Sequence, residues 1–380
     1  KKIGIILSLK VELNKNFKPS INNFKKNIDL EIEEIGLFHS KIGNQETPLI
    51  ELPELAKNLG IKKLLIKDES YRFGLHAFKA LGASYAMSKQ INENPEIEIF
   101  CTATDGNHGK AVAWMATKLN KRAIIYMPKG TVAARIDSIK KEGADVIVID
   151  KAYDIAVEMA KKRVSFENQQ SGLKKWCLIQ DTAWEGYEEI PLDIMKGYWT
   201  QIHEVTKQIL DKKIDLVILQ SGVGSWAASI VDYIITKWEK APFFISVEPH
   251  SANCLFESIK RGKRISIQNN KLTNMAGLDC GSVSTLAWNI LSENLAGSIS
   301  ISDSLCEKSM IALANPLIGD PMIVSGESGA SGLAALMGLS KNDDFKEFKQ
   351  NINLNKTSTV LIFNTEGATD PVNYKKVTNT

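Results

Sequence analysis

Short, unbroken apolar runs recur along this 380-residue chain, and each is followed by a stretch with helical spacing. Residues 63–67, 97–101, 122–128, 145–149 and 176–179 are such runs in the first half; 215–219, 243–247 and 358–363 follow in the second. A strand without polar alternation is buried on both faces, as strands are in parallel sheets covered by helices. Helices are expected near 110–119, 133–142, 153–163 and 226–238, with Gly143 as the stop of the second. Strands alternating with helices predict an α/β fold built on parallel sheets.

Charge and cysteine content exclude several classes. Net charge is +3, from 47 basic and 44 acidic residues, with no strongly one-signed block. Neither nucleic acid nor an anionic membrane is implied. The five cysteines, Cys101, Cys177, Cys254, Cys280 and Cys306, form no C-x-x-C pair. A zinc cluster or disulfide framework is therefore not expected, no metal is expected, and the composition suits a reducing, cytoplasmic setting. No apolar run approaches the ~18 residues of a transmembrane helix. Residues 1–10 superficially mimic a signal peptide, but the apolar stretch is short and Lys10 closes it, so a strand is expected there.

Lys79 is the first chemical candidate. It opens an amphipathic stretch and is flanked by Leu75, Phe78 and Leu81. Desolvation and the positive end of a helix both lower a lysine pKa, and a neutral amine can form a Schiff base with a carbonyl cofactor. The competing reading is a solvated surface lysine. A second candidate is the turn Gln220-Ser221-Gly222-Val223-Gly224-Ser225 between a strand and a helix. Converging backbone N–H groups at such a turn bind anions. It matches neither G-x-G-x-x-G nor a P-loop, which favours a single phosphate over a dinucleotide; a plain strand–helix turn is the alternative. A third is the loop from Thr102 to Gly109, able to hold a carboxylate or merely to cap a helix. For His108 a structural hydrogen bond is weighed against a role in substrate binding.

Together these segments resemble the fold-type-II pyridoxal-phosphate enzymes, the tryptophan synthase β and serine/threonine dehydratase group, over about residues 45 to 370. The strings Lys67-Asp68-Glu69-Ser70, Arg72-Phe73-Gly74-Leu75, Thr104-Asp105-Gly106-Asn107-His108-Gly109, Gln180-Asp181-Thr182-Ala183-Trp184-Glu185-Gly186-Tyr187, Met275-Ala276-Gly277-Leu278 and Ser325-Gly326-Glu327-Ser328-Gly329 are similar to the ammonia-lyase branch acting on 2,3-diaminopropionate. The resemblance implies pyridoxal 5'-phosphate as cofactor, with Lys79 as its covalent anchor and one general base. Phe78 would pack beside the ring, Asn107 would bond the ring hydroxyl, and Ser221, Gly222, Val223, Gly224 and Ser225 would cradle the phosphate. Thr365 would face the pyridine nitrogen and leave it unprotonated, which suits β-elimination. Thr104, with the neighbouring loop amides and His108, would take the substrate.

Asp105 and Asp181 depart from the common dehydratase pattern. An amino leaving group needs a proton, and an aminated substrate carries extra positive charge. Two carboxylates meet both needs, one binding the distal ammonium and one shuttling protons. Lys79 on one face and Asp105 on the other would serve both enantiomers. The alternative for Asp181 is a helix N-cap, and for Cys254 and Cys280, buried thiols.

The expected architecture is two open, mostly parallel sheets with the active site between a large domain, residues 1–95 and 191–380, and a small mobile one, residues 96–190. The resemblance implies a homodimer. The expected reaction is α,β-elimination to pyruvate and two ammonia. A serine/threonine dehydratase and a non-catalytic cofactor- or amino-acid-binding protein are the alternatives.

Overall fold

The computed structural model describes residues 8–18, 28–104, 106–151, 153–209, 213–268 and 271–379. Its strands fall into two sheets. The larger contains β1 (Leu9–Leu13), β2 (Leu49–Glu51), β3 (Lys63–Asp68), β8 (Leu216–Gln220), β9 (Phe243–Pro249), β10 (Gly297–Ile301) and β11 (Thr359–Asn364). The smaller contains β4 (Ile99–Ala103), β5 (Arg122–Pro128), β6 (Asp145–Ile149) and β7 (Trp176–Leu178).

The larger sheet runs β1-β10-β9-β8-β11-β3-β2, and the smaller runs β6-β5-β4-β7. Only the two edge strands of the larger sheet are antiparallel to their neighbours. Every other pairing is parallel, as unalternated apolar runs require. All residues of β4, β8, β10 and β11 are buried.

Most of the strand expected over residues 1–10 falls on residues 1–7, outside the described residues; β1 runs Leu9–Leu13. The helix expected at 153–163 continues to Ser171.

Six helices matter for the site: α1 (Lys79–Glu93), α2 (Asn107–Lys118), α3 (Tyr153–Ser171), α4 (Glu189–Gln208), α5 (Ser225–Lys237) and α6 (Glu327–Ser340). Before α1, the chain makes a tight reversal in which Phe73 and His76 take positive φ. A buried ion network holds it. Arg72 forks onto both oxygens of Glu69 and both of Glu204, all at 2.8 Å. Lys67 Nζ donates to Glu204 at 2.7 Å. Two cations and two carboxylates leave no net buried charge, the condition under which such groups are tolerated in a core. The Lys67–Ser70 and Arg72–Leu75 strings thus set the entry into α1. Among the described residues no helix is long and apolar enough to cross a membrane.

Candidate active site

The carboxyl ends of β4, β8 and β11 and the segment after β7 converge on one cavity, where open α/β sheets place their ligands. Phe78, Lys79, Thr104, Asn107, His108, Asp181, Gly222, Val223, Gly224, Ser225 and Thr365 all line it. Of the residues singled out from sequence, Asp105 lies outside the described residues. Ser221 is buried outside the cavity lining, and its N–H is spent on the Val247 carbonyl. Its amide therefore does not join the anion cradle expected of it.

Lys79 is the first residue of α1, and its Nζ lies 2.5 Å from Asp181 Oδ2. Here the expected lowering of its pKa is overturned. Burial does disfavour the charged amine, but the Asp181 carboxylate outweighs burial and holds the amine above its ordinary value. Burial likewise opposes the Asp181 charge, yet the Lys79 ammonium brings that carboxyl down to about 2. With the Lys79 amine free of cofactor, the pair is ammonium and carboxylate.

Asp181 is no helix cap, because the chain after β7 turns irregularly until α4 begins at Glu189. Neighbours set its position instead. Gln180 clamps the end of β4, accepting from Thr102 and from the Ala103 amide and donating to the Ala103 carbonyl. The Tyr187 hydroxyl donates to the Leu178 carbonyl and accepts from the Gln180 amide, with Trp184 stacked on its ring. From the larger sheet's side, Ser225 Oγ donates to the Asp181 carbonyl at 2.6 Å. The Ser225 hydroxyl is thereby occupied, leaving its amide for the cradle.

His108 donates from Nε2 to the Ile179 carbonyl at 2.8 Å, which fixes the tautomer, since a carbonyl only accepts. Its Nδ1 is buried without a hydrogen-bond partner and sits 3.9 Å from Asp181 Oδ2. Burial lowers the pKa of the ring and so favours its neutral form. Thr104 Oγ1 accepts from the Gly106 and Gly109 amides, which leaves its own proton to donate.

The expected cradle is the turn from Gly222 into α5. Gly224 caps that helix at φ +86°, a conformation a side chain resists. The first-turn amides of α5 have no acceptor within the helix and are suited to an anion. Opposite, Thr365 follows β11 and places its hydroxyl at the cavity. Lys79 Nζ lies 5.4 Å from the Phe78 ring centroid. A part-buried lysine, an apolar wall, an amide cradle and a hydroxyl at the strand end fit pyridoxal phosphate.

Gln220 and Glu366 are among the buried lining residues to which sequence reasoning gave no role. Glu366 Oε2 accepts from Asn107 Nδ2 at 2.5 Å, and its Oε1 from the Ser328 amide. It thereby fixes the orientation of the Asn107 amide. The close approach behind it depends on Gly329, where a Cβ would stand 2.4 Å from Asn364 Oδ1 and 2.5 Å from the Glu366 carbonyl. That accounts for the Ser325–Gly329 string. Cys280 lines the cavity and Cys254 Sγ touches the Gly222 carbonyl, and neither forms a disulfide.

Fold and site together define a pyridoxal-phosphate enzyme of fold type II. The chain belongs to the pyridoxal-phosphate dependent enzyme family, whose model matches residues 41–363. Within that family it is similar to the diaminopropionate ammonia-lyase of Escherichia coli K12: 40% identical over 361 residues, covering 90% of this chain and 89% of that protein. Its structure matches the crystal structure of the E. coli diaminopropionate ammonia lyase in complex with an aminoacrylate-PLP azomethine reaction intermediate. The TM-score is 0.89 and the identity 38%, over 97% of this chain and 96% of that one. A threonine dehydratase of Salmonella typhimurium is more distant, 27% identical over 297 residues and covering 77% of this chain and 52% of that protein.

Proposed function

We propose that this chain is a diaminopropionate ammonia-lyase that releases pyruvate and two ammonia from 2,3-diaminopropionate. The observation that carries the proposal is the part-buried Lys79–Asp181 pair. Lys79 can act as a base only when neutral, and Asp181 opposes that for as long as the two are paired. A substrate bearing a second ammonium supplies a cation that takes the place of Lys79 against Asp181. A serine hydroxyl supplies none. Substrate identity and activation of the base are thereby linked through one carboxylate.

Bound pyridoxal phosphate supplies the electron sink for the Cα–H bond that breaks. The residues of this chain do the rest. Lys79 anchors the cofactor and, once released and neutral, accepts the α-proton at Nζ. Asp181 holds the β-nitrogen protonated, so that it leaves as ammonia. Neutral His108, its Nδ1 lone pair facing Asp181, completes the polar wall against the substrate. Thr104 and the loop amides orient the α-carboxylate, and Asn107, steadied by Glu366, faces the cofactor's ring hydroxyl. The amides of Gly222, Val223, Gly224 and Ser225 hold the phosphate. Asp105 serves as the second base for the D enantiomer.

Residues 96–190, which carry the smaller sheet, act as a domain that closes on the rest of the chain and excludes water from the reaction. We further propose a homodimer in a reducing, cytoplasmic compartment, a setting that suits five free thiols. Sedimentation velocity reads the first.

The test is product stoichiometry with D- and L-diaminopropionate and with serine, measured separately on the cofactor-loaded protein. Two ammonia per pyruvate from diaminopropionate with weak serine turnover is expected. Strong serine turnover with one ammonia per pyruvate would move the chain to the dehydratases.

A further inference from the structure

Gln220, the last residue of β8, has no assigned role, yet its side chain is buried and lines the cavity. The orientation of its amide is dictated by its surroundings. Nε2 lies 2.9 Å from the Phe363 carbonyl, 3.3 Å from that of Ser328 and 3.4 Å from that of Gly329. Three carbonyl oxygens around one end of an amide require the NH₂ group there, because the reverse orientation would set oxygen against oxygen. The same Nε2 lies 3.0 Å from Thr365 Oγ1. An NH₂ group only donates, so Thr365 Oγ1 must accept in this contact.

A threonine hydroxyl has one proton to give. With Gln220 occupying a lone pair of Oγ1, that proton is directed away from Gln220. Thr365 lines the cavity, and the resemblance to fold-type-II enzymes implies that it faces the cofactor's pyridine nitrogen. We propose that Gln220 is a positioning residue that fixes the Thr365 hydroxyl as a hydrogen-bond donor toward the cofactor's ring nitrogen. This rests on the reading of the chain as a fold-type-II pyridoxal-phosphate lyase, whose resemblance implies Thr365 as the ring-nitrogen partner. A donor at that nitrogen occupies the lone pair a proton would otherwise take, and so the nitrogen stays unprotonated. The ring is then a weaker electron sink, which favours loss of the β-substituent over reprotonation at other positions.

Without Gln220 the hydroxyl is free to turn and accept, and a protonated ring nitrogen becomes tolerable. The Gln220→Leu substitution keeps the bulk and removes the donor. Its expected effect on elimination is a loss of about tenfold, the scale of one buried hydrogen bond.

The decisive readout is spectroscopic: the ¹⁵N chemical shift of ring-labelled pyridoxal phosphate bound to the enzyme. In the wild type the shift is expected in the unprotonated pyridine range. In Gln220→Leu it is expected to move toward the pyridinium range at neutral pH. In a Thr365→Ala background the same substitution is expected to add no further change, because Gln220 acts through Thr365. A pyridinium shift in the wild type would overturn the inference with no variant needed, as would an unmoved shift in a cofactor-loaded Gln220→Leu enzyme. Either result leaves the stoichiometry from diaminopropionate untouched. Failure of the wild type to turn over diaminopropionate would instead strike at the proposed function.

Discussion

Replacing Asp181 by asparagine removes one half of a part-buried ion pair while keeping its shape. The side chains of Lys79 and Asp181 are 20% and 7% exposed, and their charged atoms lie 2.5 Å apart. Removing one partner of such a pair costs about 3–5 kcal/mol. The partial exposure of Lys79 puts this site at the lower end, about 3 kcal/mol. At about 1.4 kcal/mol per decade that is about a hundredfold. The loss falls on whichever cation faces the carboxylate in the transition state. With diaminopropionate that cation is the β-ammonium, so kcat/KM is expected to drop about a hundredfold. Serine brings no such cation, and its turnover is expected to change little. The assay is pyruvate formation from each substrate over a pH series, with the cofactor content of the variant confirmed by absorbance. The acid limb of the pH profile, where a base is lost to protonation, also has a predicted direction. Burial lowers the Lys79 pKa and Asp181 is the largest influence raising it, so without Asp181 that limb moves toward acid. Equal losses on both substrates would refute the reasoning, since Asp181 would then be acting on Lys79 or on the fold rather than on the second ammonium.

Four further outcomes are expected. Glu366→Ala should release the Asn107 amide and weaken cofactor binding about tenfold, read by titration of the apoprotein, because a charged hydrogen bond is lost. Asp105→Asn should reduce turnover of D-diaminopropionate while sparing the L enantiomer; equal losses would count against two bases. Gly329→Ala should destabilise the fold by about 1–3 kcal/mol through overpacking at the end of β11, measured as a shift in urea midpoint. Glu248 is fully buried, and burial raises its carboxyl from 4.5 to about 8 against the opposing Leu255 and Phe256 amides. The folded state then binds more protons than the unfolded chain between those values, so stability should fall as pH rises from about 4.5 to 8. Glu248→Gln should flatten that slope, and an unchanged slope would discount the raised pKa.

Much of the frame was legible because it depends on local patterning. Unalternated apolar runs marked the interior parallel strands, and the strings around Lys79, Asn107 and Gly224 stood at strand ends. What escaped sequence reasoning depends on distant partners. The pKa of Lys79 was expected to fall because its neighbours in sequence are apolar, whereas the group that decides it is 102 residues away. Gln220 and Glu366 carry no local signal, since their partners come from β11, α6 and α2. Strand β10 was missed because Gly297-Ser298-Ile299-Ser300-Ile301 looks half polar. Its serines are buried nonetheless, satisfied sideways by Ser246 at 2.7 Å and His250 at 2.6 Å.

The central claim is that one carboxylate, Asp181, selects a diamino substrate. A direct competition tests it: L-diaminopropionate and ¹³C-labelled L-serine at equal concentration with one cofactor-loaded enzyme, pyruvate followed by NMR. Unlabelled pyruvate is expected to form almost alone, and to lose that lead when Asp181→Asn replaces the wild type. Labelled and unlabelled pyruvate forming at comparable rates in the wild type would contradict the claim.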